Sequence, residues 1–245
     1  MTRTLAEVLK EHPLPFALRH SREDFLDQYE AVESLIDYPR AGLYAEVGTG
    51  KTAMGTCLAL CWNAEVNVLI MPPILLKQWD RWLKSVGNIG SILIYRGTPA
   101  ERKAMKLVGH KWVMMSIGIL KRDFARIKKE LGPKKKSVLV DEATSVKNSA
   151  SQNHKAVAEL AEDQNLALLT GTPLSTPHDA YGYVKLISPG VSRSKGQFDK
   201  LHVEALDHFG KVVKWTHLDR MQQHPRLPRI RLLKDPVLAG LDHPP

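Results

Sequence analysis

Hydrophobic residues along the chain form short continuous runs that alternate with amphipathic stretches. The continuous runs, which predict strands, are 42–45, 66–71, 91–95, 112–116, 137–141 and 166–170. Helical patterns lie between them, over about 51–62, 75–86, 100–108, 120–131 and 154–161. Continuous apolar strands that alternate with helices are typical of a parallel sheet covered on both faces. We therefore predict an α/β fold with a doubly wound, mostly parallel sheet, whose ligands bind at the carboxyl ends of the strands.

This alternation weakens after about residue 189. The segment 198–215 has a pattern compatible with a helix, and a tail containing several prolines follows it. We therefore predict a main α/β domain over residues 1–190 and an irregular, partly helical extension over residues 191–245.

The composition is that of an ordinary globular protein, with 43% hydrophobic and 25% charged residues in a chain of 245. No apolar run approaches the ~20 residues that a membrane-spanning helix needs, so we expect no membrane partner. Charges interrupt the N-terminal segment, which argues against a signal peptide, and the expected location is the cytoplasm. Cys57 and Cys61 lack partners spaced as in a zinc site, which favours two buried apolar side chains.

The net charge of +9 suggests a polyanionic partner. The basic residues cluster in the middle of the chain and are Arg102, Lys103, Lys106, Lys111, Lys121, Arg122, Arg126, Lys128, Lys129 and Lys134 to Lys136. Such clusters can bind a nucleic-acid backbone by releasing counterions. A solvated helix face with a charged turn explains them equally well, so charge alone leaves both interpretations open.

A glycine-rich turn over residues 45–52 (AEVGTGKT) follows the first predicted strand and opens a helix. Its pattern is GxxxxGK[ST] with alanine at the first position. Gly48 and Gly50, with Thr49 between them, allow backbone N–H groups to surround phosphate oxygens at the helix N-terminus. Lys51 can reach the β and γ phosphates and Thr52 can ligate Mg²⁺. A glycine turn with a chance Lys-Thr is the alternative, but the strand–loop–helix context favours a nucleotide triphosphate site.

An acidic pair ends the predicted strand 137–141. We expect Asp141 to ligate Mg²⁺ and Glu142 to act as the catalytic base that orients or deprotonates the attacking water. Taken alone, an acidic pair at a strand end is more often a solvated turn. A phosphate loop upstream in the same α/β alternation favours the catalytic interpretation.

The segment 141–148 (DEATSVKN) resembles the DEAH-x-x-K-N motif of Swi/Snf-type ATPases in helicase superfamily 2, with Thr144 in place of the usual histidine. Ala45 is also common in the phosphate loop of that superfamily. The loss of the imidazole at position 144 places the family's usual coupling contact in question.

Other segments resemble the same family in the same order. The segment 69–79 is similar to a motif that contacts the nucleic-acid backbone, and 112–120 to a second such segment; they give Pro72, Lys77 and Ser116 as contacts. The segment 169–174 is similar to the motif that couples nucleotide state to lobe movement, which gives Thr170, Gly171 and Thr172. Gln28 is the matching position for an adenine-reading residue.

The resemblance covers roughly residues 15–190 and implies a RecA-like P-loop NTPase lobe that uses ATP and Mg²⁺ and acts on nucleic acid, with double-stranded DNA favoured. Motors of this family have two such lobes, and residues 232–241 resemble the linker into the second. We therefore expect weak ATP hydrolysis by this chain alone. Three explanations stay open: a truncated or split gene, a separate partner chain that carries the second lobe, or a lobe retained as a binding module. A viral gene would place the protein in the host cytoplasm.

Two other hypotheses stay open. One is a non-catalytic DNA-binding module that keeps the shape of the lobe. The other is an unrelated P-loop NTPase such as a kinase, in which segment 170–173 has no role; it ranks lowest.

Overall fold

The computed structural model describes residues 2–22, 26–173, 177–190, 194–208, 212–215 and 229–233. The helices are α1 (Leu5–Glu11), α2 (Gln28–Glu33), α3 (Lys51–Cys61), α4 (Leu76–Ser85), α5 (Pro99–Ala104), α6 (Ile117–Arg122), α7 (Phe124–Leu131), α8 (Gln152–Leu160), α9 (Pro177–Ile187) and α10 (Lys195–His202). The strands are β1 (Arg40–Ala45), β2 (Val66–Ile70), β3 (Ile92–Ile94), β4 (Trp112–Met115), β5 (Lys136–Asp141), β6 (Asn165–Thr170), β7 (Val203–Leu206), β8 (Val212–Trp215) and β9 (Arg229–Leu232). Short 3₁₀ turns cover Pro73–Leu75 and Ala143–Val146.

Seven strands form one parallel sheet in the order β3-β4-β2-β5-β6-β1-β9. Side chains alternate between its faces, as the period of a strand requires. In β5, Leu139 joins the apolar cluster that holds α1 to α4, whereas Val138 and Val140 join the cluster that holds α6 to α9. Both faces are therefore covered, which explains the continuous apolar runs in the sequence. The predicted α/β fold with a doubly wound parallel sheet is confirmed.

The predicted helix over 198–215 is correct only for residues 198–202 and wrong for the strands that follow. Helix α10 ends at His202, and β7 and β8 then form an antiparallel two-stranded sheet. Val203 and Val212 start these strands, and β-branched residues favour extended backbone over helix.

The C-terminal extension also contributes to the main sheet. Strand β9 lies parallel to β1, with Leu43 opposite Ile230. The predicted domain boundary at residue 190 stays a prediction. The main sheet contains strands from both sides of it, because β9 pairs with β1. Most of segment 232–241, interpreted above as a linker, lies outside the described residues.

One predicted helix is interrupted. The amphipathic stretch 120–131 belongs to two helices, α6 and α7, which meet at Asp123 with non-helical backbone angles. The Asp123 carboxylate accepts hydrogen bonds from Arg102 and Tyr95, which fixes this residue outside the helical geometry. The sequence pattern contains no trace of these distant partners.

Two helices near the N-terminus were not predicted from the hydrophobic pattern. Helix α1 begins with a capping box, in which Thr4 and Glu7 each accept a hydrogen bond from the other's backbone N–H. This Thr-x-x-Glu spacing was the available signal. Helix α2 begins after Asp27, whose carboxylate accepts from the N–H of Gln28. In the described part of the chain, no helix is both long enough and apolar enough to cross a membrane.

Candidate nucleotide-binding site

The phosphate loop joins β1 to α3 at the carboxyl edge of the sheet. Gly48 and Gly50 have φ of 85° and 90°, in the left-handed region that glycine adopts without strain. A Cβ on Gly50 would also lie 2.4 Å from the Gln28 Nε2 atom, so the Gln28 side chain would have to move. Both glycines of the motif are therefore required by the local backbone.

The Lys51 side chain lies beneath this loop. Its Nζ atom donates to the carbonyl oxygens of Ala45 at 2.9 Å and Glu46 at 3.1 Å. Burial lowers the pKa of the Lys51 ammonium, and the charges of Asp141 and Glu142 oppose that effect. These two carboxylates are thus close enough to act electrostatically on the lysine.

The acidic pair ends β5, where its backbone turns sharply. Asp141 is 8% exposed, and its Oδ1 atom accepts from the Glu142 N–H at 2.9 Å. Its Oδ2 atom accepts from the indole N–H of Trp79 at 2.7 Å. Glu142 has φ of 53° and ψ of 55°, a left-handed conformation that costs free energy outside glycine and that is common at functional sites.

Strand β6 brings the two motifs together, because it lies between β1 and β5 in the sheet. At its end, Thr170 is fully buried and its Oγ1 accepts from the N–H of Thr172 at 3.2 Å. A Cβ on Gly171 would lie 3.4 Å from the Ala45 carbonyl oxygen and 3.7 Å from Lys51 Nζ. The segment predicted to be the coupling motif therefore contacts the phosphate loop.

The donor set at this edge fits a magnesium ion. Thr52, in the first turn of α3, provides a hydroxyl oxygen, and Asp141 provides a carboxylate. Mg²⁺ prefers such oxygen ligands and usually completes its shell with water and substrate phosphates. A carboxylate has about four lone-pair sites, of which two are used here, so Asp141 retains capacity for a metal. The ligand roles of Thr52 and Asp141 stay predictions.

Gln28 supports the phosphate loop from α2. Its Nε2 donates to the Thr49 carbonyl oxygen at 2.8 Å, and its Oε1 accepts from the Arg19 N–H at 3.1 Å. The residue is 2% exposed. Its contact with the loop was not foreseen, and its role in reading adenine stays a prediction.

The three residues predicted to contact nucleic acid differ in access. Pro72 precedes the 3₁₀ turn that leads into α4, and Lys77 is exposed in the first turn of that helix. Ser116 is 8% exposed, and its hydroxyl accepts from the Ile119 N–H as the N-cap of α6. This burial argues against a direct contact between Ser116 and a polynucleotide.

Much of the basic cluster in the middle of the chain has structural partners. Arg102 is 4% exposed and paired with Asp123, and Lys136 is 3% exposed and donates to backbone carbonyls, among them that of Leu131. The other paired members are Lys111, Arg126, Lys128 and Lys134. The charge count therefore overstates the surface that is available to a polyanion.

A cationic groove remains between α6, α7 and α8, with a volume of about 630 Å³. We call it the α6–α8 groove; its lining residues are Gly118, Lys121, Arg122, Phe124, Gln152, Lys155, Ala156 and Glu159. Lys121, Arg122 and Lys155 are exposed and form no ion pair with any residue that the structure describes. Glu159 is paired with Lys128, so the groove has excess positive charge.

The sequence is similar to a defined family of proteins. The family described as SNF2-related domain matches residues 28–225. The SWI/SNF-related matrix-associated actin-dependent regulator of chromatin subfamily A-like protein 1 of Bos taurus is 27% identical over 177 residues, 64% of this chain and 18% of that protein. Helicase swr1 of Schizosaccharomyces pombe is 28% identical over 215 residues, 82% of this chain and 16% of that protein. The chain spans less than a fifth of either relative.

Two solved structures have a similar fold. One is the Sulfolobus solfataricus SWI2/SNF2 ATPase core in complex with dsDNA, with a TM-score of 0.73 and 20% identity, covering 97% of this chain and 49% of that chain. The other is the Sulfolobus solfataricus SWI2/SNF2 ATPase core domain, with a TM-score of 0.69 and 20% identity, covering 97% of this chain and 48% of that one. These matches identify the fold as a RecA-like lobe.

Proposed function

Because the chain belongs to the SNF2-related domain family, we propose that it is the ATP-binding lobe of a nucleic-acid-dependent ATPase. The observation that supports this most directly is the convergence of three strand ends at one edge of the sheet. The loop after β1, the acidic pair after β5 and the Thr-Gly segment after β6 lie around the Lys51 ammonium. Such an edge is where α/β sheets bind ligands.

The proposed role of each residue follows from its chemistry. Backbone N–H groups of Gly48 to Thr52 surround the phosphates, and Lys51 turns from its loop carbonyls to the β and γ phosphates. Thr52 and Asp141 would hold magnesium, which would supply charge neutralisation of the phosphates and polarisation of the γ-phosphoryl group. Glu142 would accept the proton of the attacking water as the water oxygen bonds to the γ-phosphorus and the bond from that phosphorus to the ADP oxygen breaks.

Nucleotide binding tests the first part of the proposal. A fluorescent ATP analogue should bind with an affinity that depends on Mg²⁺, and Lys51→Met should weaken binding by at least tenfold. Because Lys51 also bonds the loop carbonyls, thermal unfolding of the variant has to be measured in parallel. Equal affinity in the wild type and a folded Lys51→Met variant would exclude the site.

Hydrolysis tests the role of Glu142. Glu142→Gln should keep the nucleotide affinity of the wild type and reduce single-turnover hydrolysis by about 10²–10⁴, the usual contribution of a general base. Unchanged turnover would remove Glu142 from this role. The chain spans 49% of the similar Sulfolobus solfataricus ATPase core, and arginine fingers are worth about 10³–10⁵ in related phosphoryl transfers, so we propose slow hydrolysis by this chain alone.

We propose double-stranded DNA as the polynucleotide, supported by the dsDNA in complex with the similar Sulfolobus solfataricus core and by the α6–α8 groove. DNA affinity falls as salt rises, and each phosphate contact makes the slope of log affinity against log salt steeper by about 0.9. Replacing Lys121, Arg122 and Lys155 together by glutamine should reduce that slope by up to about 2.7. A control variant replaces the exposed residues Lys10, Lys103 and Lys106 by glutamine, which makes the same change in net charge. This control should reduce the salt slope less than the groove variant does. Equal salt slopes in the two triple variants would exclude the α6–α8 groove as the DNA-binding surface.

DNA affinity with and without ATP and Mg²⁺ separates the leading hypothesis from the non-catalytic module. A motor lobe should bind DNA with an affinity that responds to the nucleotide, whereas a passive module should not respond. Addition of a separately produced second lobe should raise ATP turnover only under the motor hypothesis.

A further inference from the structure

We propose that the indole N–H of Trp79 positions the Asp141 carboxylate for magnesium. The inference rests on the proposed function, because it assigns a supporting residue to the proposed metal ligand. Trp79 would not touch the ion; it would act through Asp141 alone and is therefore a positioning residue. The chain's other tryptophan on the same helix, Trp82, offers a matched comparison.

The hydrogen bond between the two residues is buried and short. Trp79 is 1% exposed and Asp141 is 8% exposed, and their Nε1 and Oδ2 atoms are 2.7 Å apart. A bond from a neutral N–H to a carboxylate is stronger than one between neutral groups. Indole N–H is a donor only, so it cannot be satisfied by the metal or exchange roles with the carboxylate.

The rest of Trp79 is immobilised by packing. Its ring belongs to the apolar cluster that joins α4 to the sheet, together with Leu76 and Leu83 of the same helix. Interiors of this kind are close-packed, so the ring cannot rotate without displacing its neighbours. The N–H direction is therefore set by the core and not by solvent.

Two bonds together define the orientation of the carboxylate. Oδ2 accepts from Trp79, and Oδ1 accepts from the N–H of Glu142. Because each oxygen has one donor, rotation of the carboxylate about the Cβ–Cγ bond would break both hydrogen bonds. The lone pairs that remain for a metal therefore keep one direction. Without the indole N–H, Oδ2 would lose its buried donor and only the Glu142 bond would resist rotation. Partners of this kind typically change metal affinity by about 10- to 100-fold.

Trp82 also donates its indole N–H, but to a neutral hydroxyl at a different place. Its Nε1 atom donates to the Thr56 Oγ1 atom on α3 at 2.9 Å, and its ring packs against Phe16 at a centroid distance of 5.4 Å. Loss of that N–H removes a hydrogen bond between two helices and leaves Asp141 unchanged. Trp82→Phe therefore controls for the general cost of losing an indole on α4.

The experiment compares the Mg²⁺ dependence of nucleotide binding in the full chain. A fluorescent ATP analogue is held at fixed concentration while Mg²⁺ is titrated into wild type, Trp79→Phe and Trp82→Phe. We expect the Mg²⁺ midpoint to rise about tenfold or more in Trp79→Phe and to stay within about twofold in Trp82→Phe. We expect both variants to lose thermal stability, because each loses an indole hydrogen bond, so stability alone would not separate them.

Two further measurements keep the test decisive. Benzothienylalanine at position 79 keeps the bicyclic ring without an N–H and should shift the midpoint even if Trp79→Phe folds poorly. In an Asp141→Asn background, loss of the Trp79 N–H should give no additional shift, because the two residues act through one ligand. An unchanged midpoint in the benzothienyl protein, or a full additional shift in the Asp141→Asn background, would overturn the inference. Wild type without Mg²⁺-dependent binding would instead contradict the proposed function.

Discussion

Replacing Gly182 by alanine tests how closely α9 packs against the turn that follows the acidic pair. A Cβ at this position would lie 1.7 Å from the carbonyl oxygen of Lys147 and 2.5 Å from its carbon. Both are backbone atoms, so no side-chain rotation can relieve the clash. An ordinary contact begins at about 3.4 Å, so helix and turn must separate by about 1.7 Å, the difference between 3.4 and 1.7 Å. The ion pair between Lys147 and Asp179, at 2.9 Å, holds the same two segments together.

The expected magnitude combines two opposing effects. Alanine is better than glycine inside a helix by about 1 kcal/mol. Overpacking of a close contact costs about 1–3 kcal/mol, and a clash between backbone atoms belongs at the upper end of that range. We therefore expect Gly182→Ala to lower the free energy of unfolding by about 2 kcal/mol. For a chain of this length that corresponds to a fall of roughly 4–8 °C in the melting temperature.

Urea unfolding followed by far-UV circular dichroism measures this effect, and Gly118→Ala is the matched control. Gly118 also lies in a helix, but a Cβ there would meet nothing closer than 3.7 Å, at the guanidinium of Arg122. Gly118→Ala should therefore be neutral or stabilising by up to about 1 kcal/mol. If Gly182→Ala were as stable as Gly118→Ala, the packing of α9 against Lys147 described above would be incorrect.

Three other changes give defined outcomes. Burial lowers the pKa of His154 below 6.5, so the folded protein binds this proton less readily than the unfolded protein does. The contribution of His154 to stability should be complete above pH 6.5, and the free energy of unfolding should fall below that pH by up to about 1.4 kcal/mol per pH unit. Urea unfolding between pH 5 and 8 measures this slope, and His154→Gln should remove the part that His154 contributes. Burial raises the pKa of both Cys57 and Cys61, the latter to about 12. A thiol reagent at pH 8 should therefore modify them only after the protein unfolds, and rapid labelling of the native protein would contradict their burial. Thr4→Ala removes the capping box of α1 and should cost about 1 kcal/mol, and no change in the unfolding midpoint would count against it.

The parts of the fold that were predictable are those specified by local pattern. Strands buried on both faces must be continuously apolar, so β2 and β4 to β6 could be located from hydrophobicity alone. The phosphate loop was predictable because its backbone needs a positive φ at positions 48 and 50, which glycine adopts without strain. Asp141 and Glu142 followed from the end of an apolar strand.

What could not be predicted depends on partners distant in sequence. Trp79 and Asp141 are 62 positions apart, and Gln28 and Thr49 are 21 apart, so no periodicity links them. Lys136 was counted as a surface charge because its sequence neighbours are lysines, yet its ammonium is satisfied by carbonyls in the turn before β5. The helix predicted over 198–215 was wrong beyond His202 because two short antiparallel strands and an amphipathic helix have similar hydrophobic content.

The central claim is that Lys51, Thr52 and Asp141 meet around one magnesium triphosphate. A crystal structure of the chain with Mg²⁺ and a non-hydrolysable ATP analogue tests it most directly. We predict that Thr52 Oγ1 lies at about 2.1 Å from the ion, as Mg²⁺ coordination requires. Asp141 should hold the same ion directly or through one water, and Lys51 Nζ should have left the Ala45 carbonyl for a phosphate oxygen. A nucleotide bound elsewhere, or an ion that Thr52 and Asp141 do not share, would contradict the account.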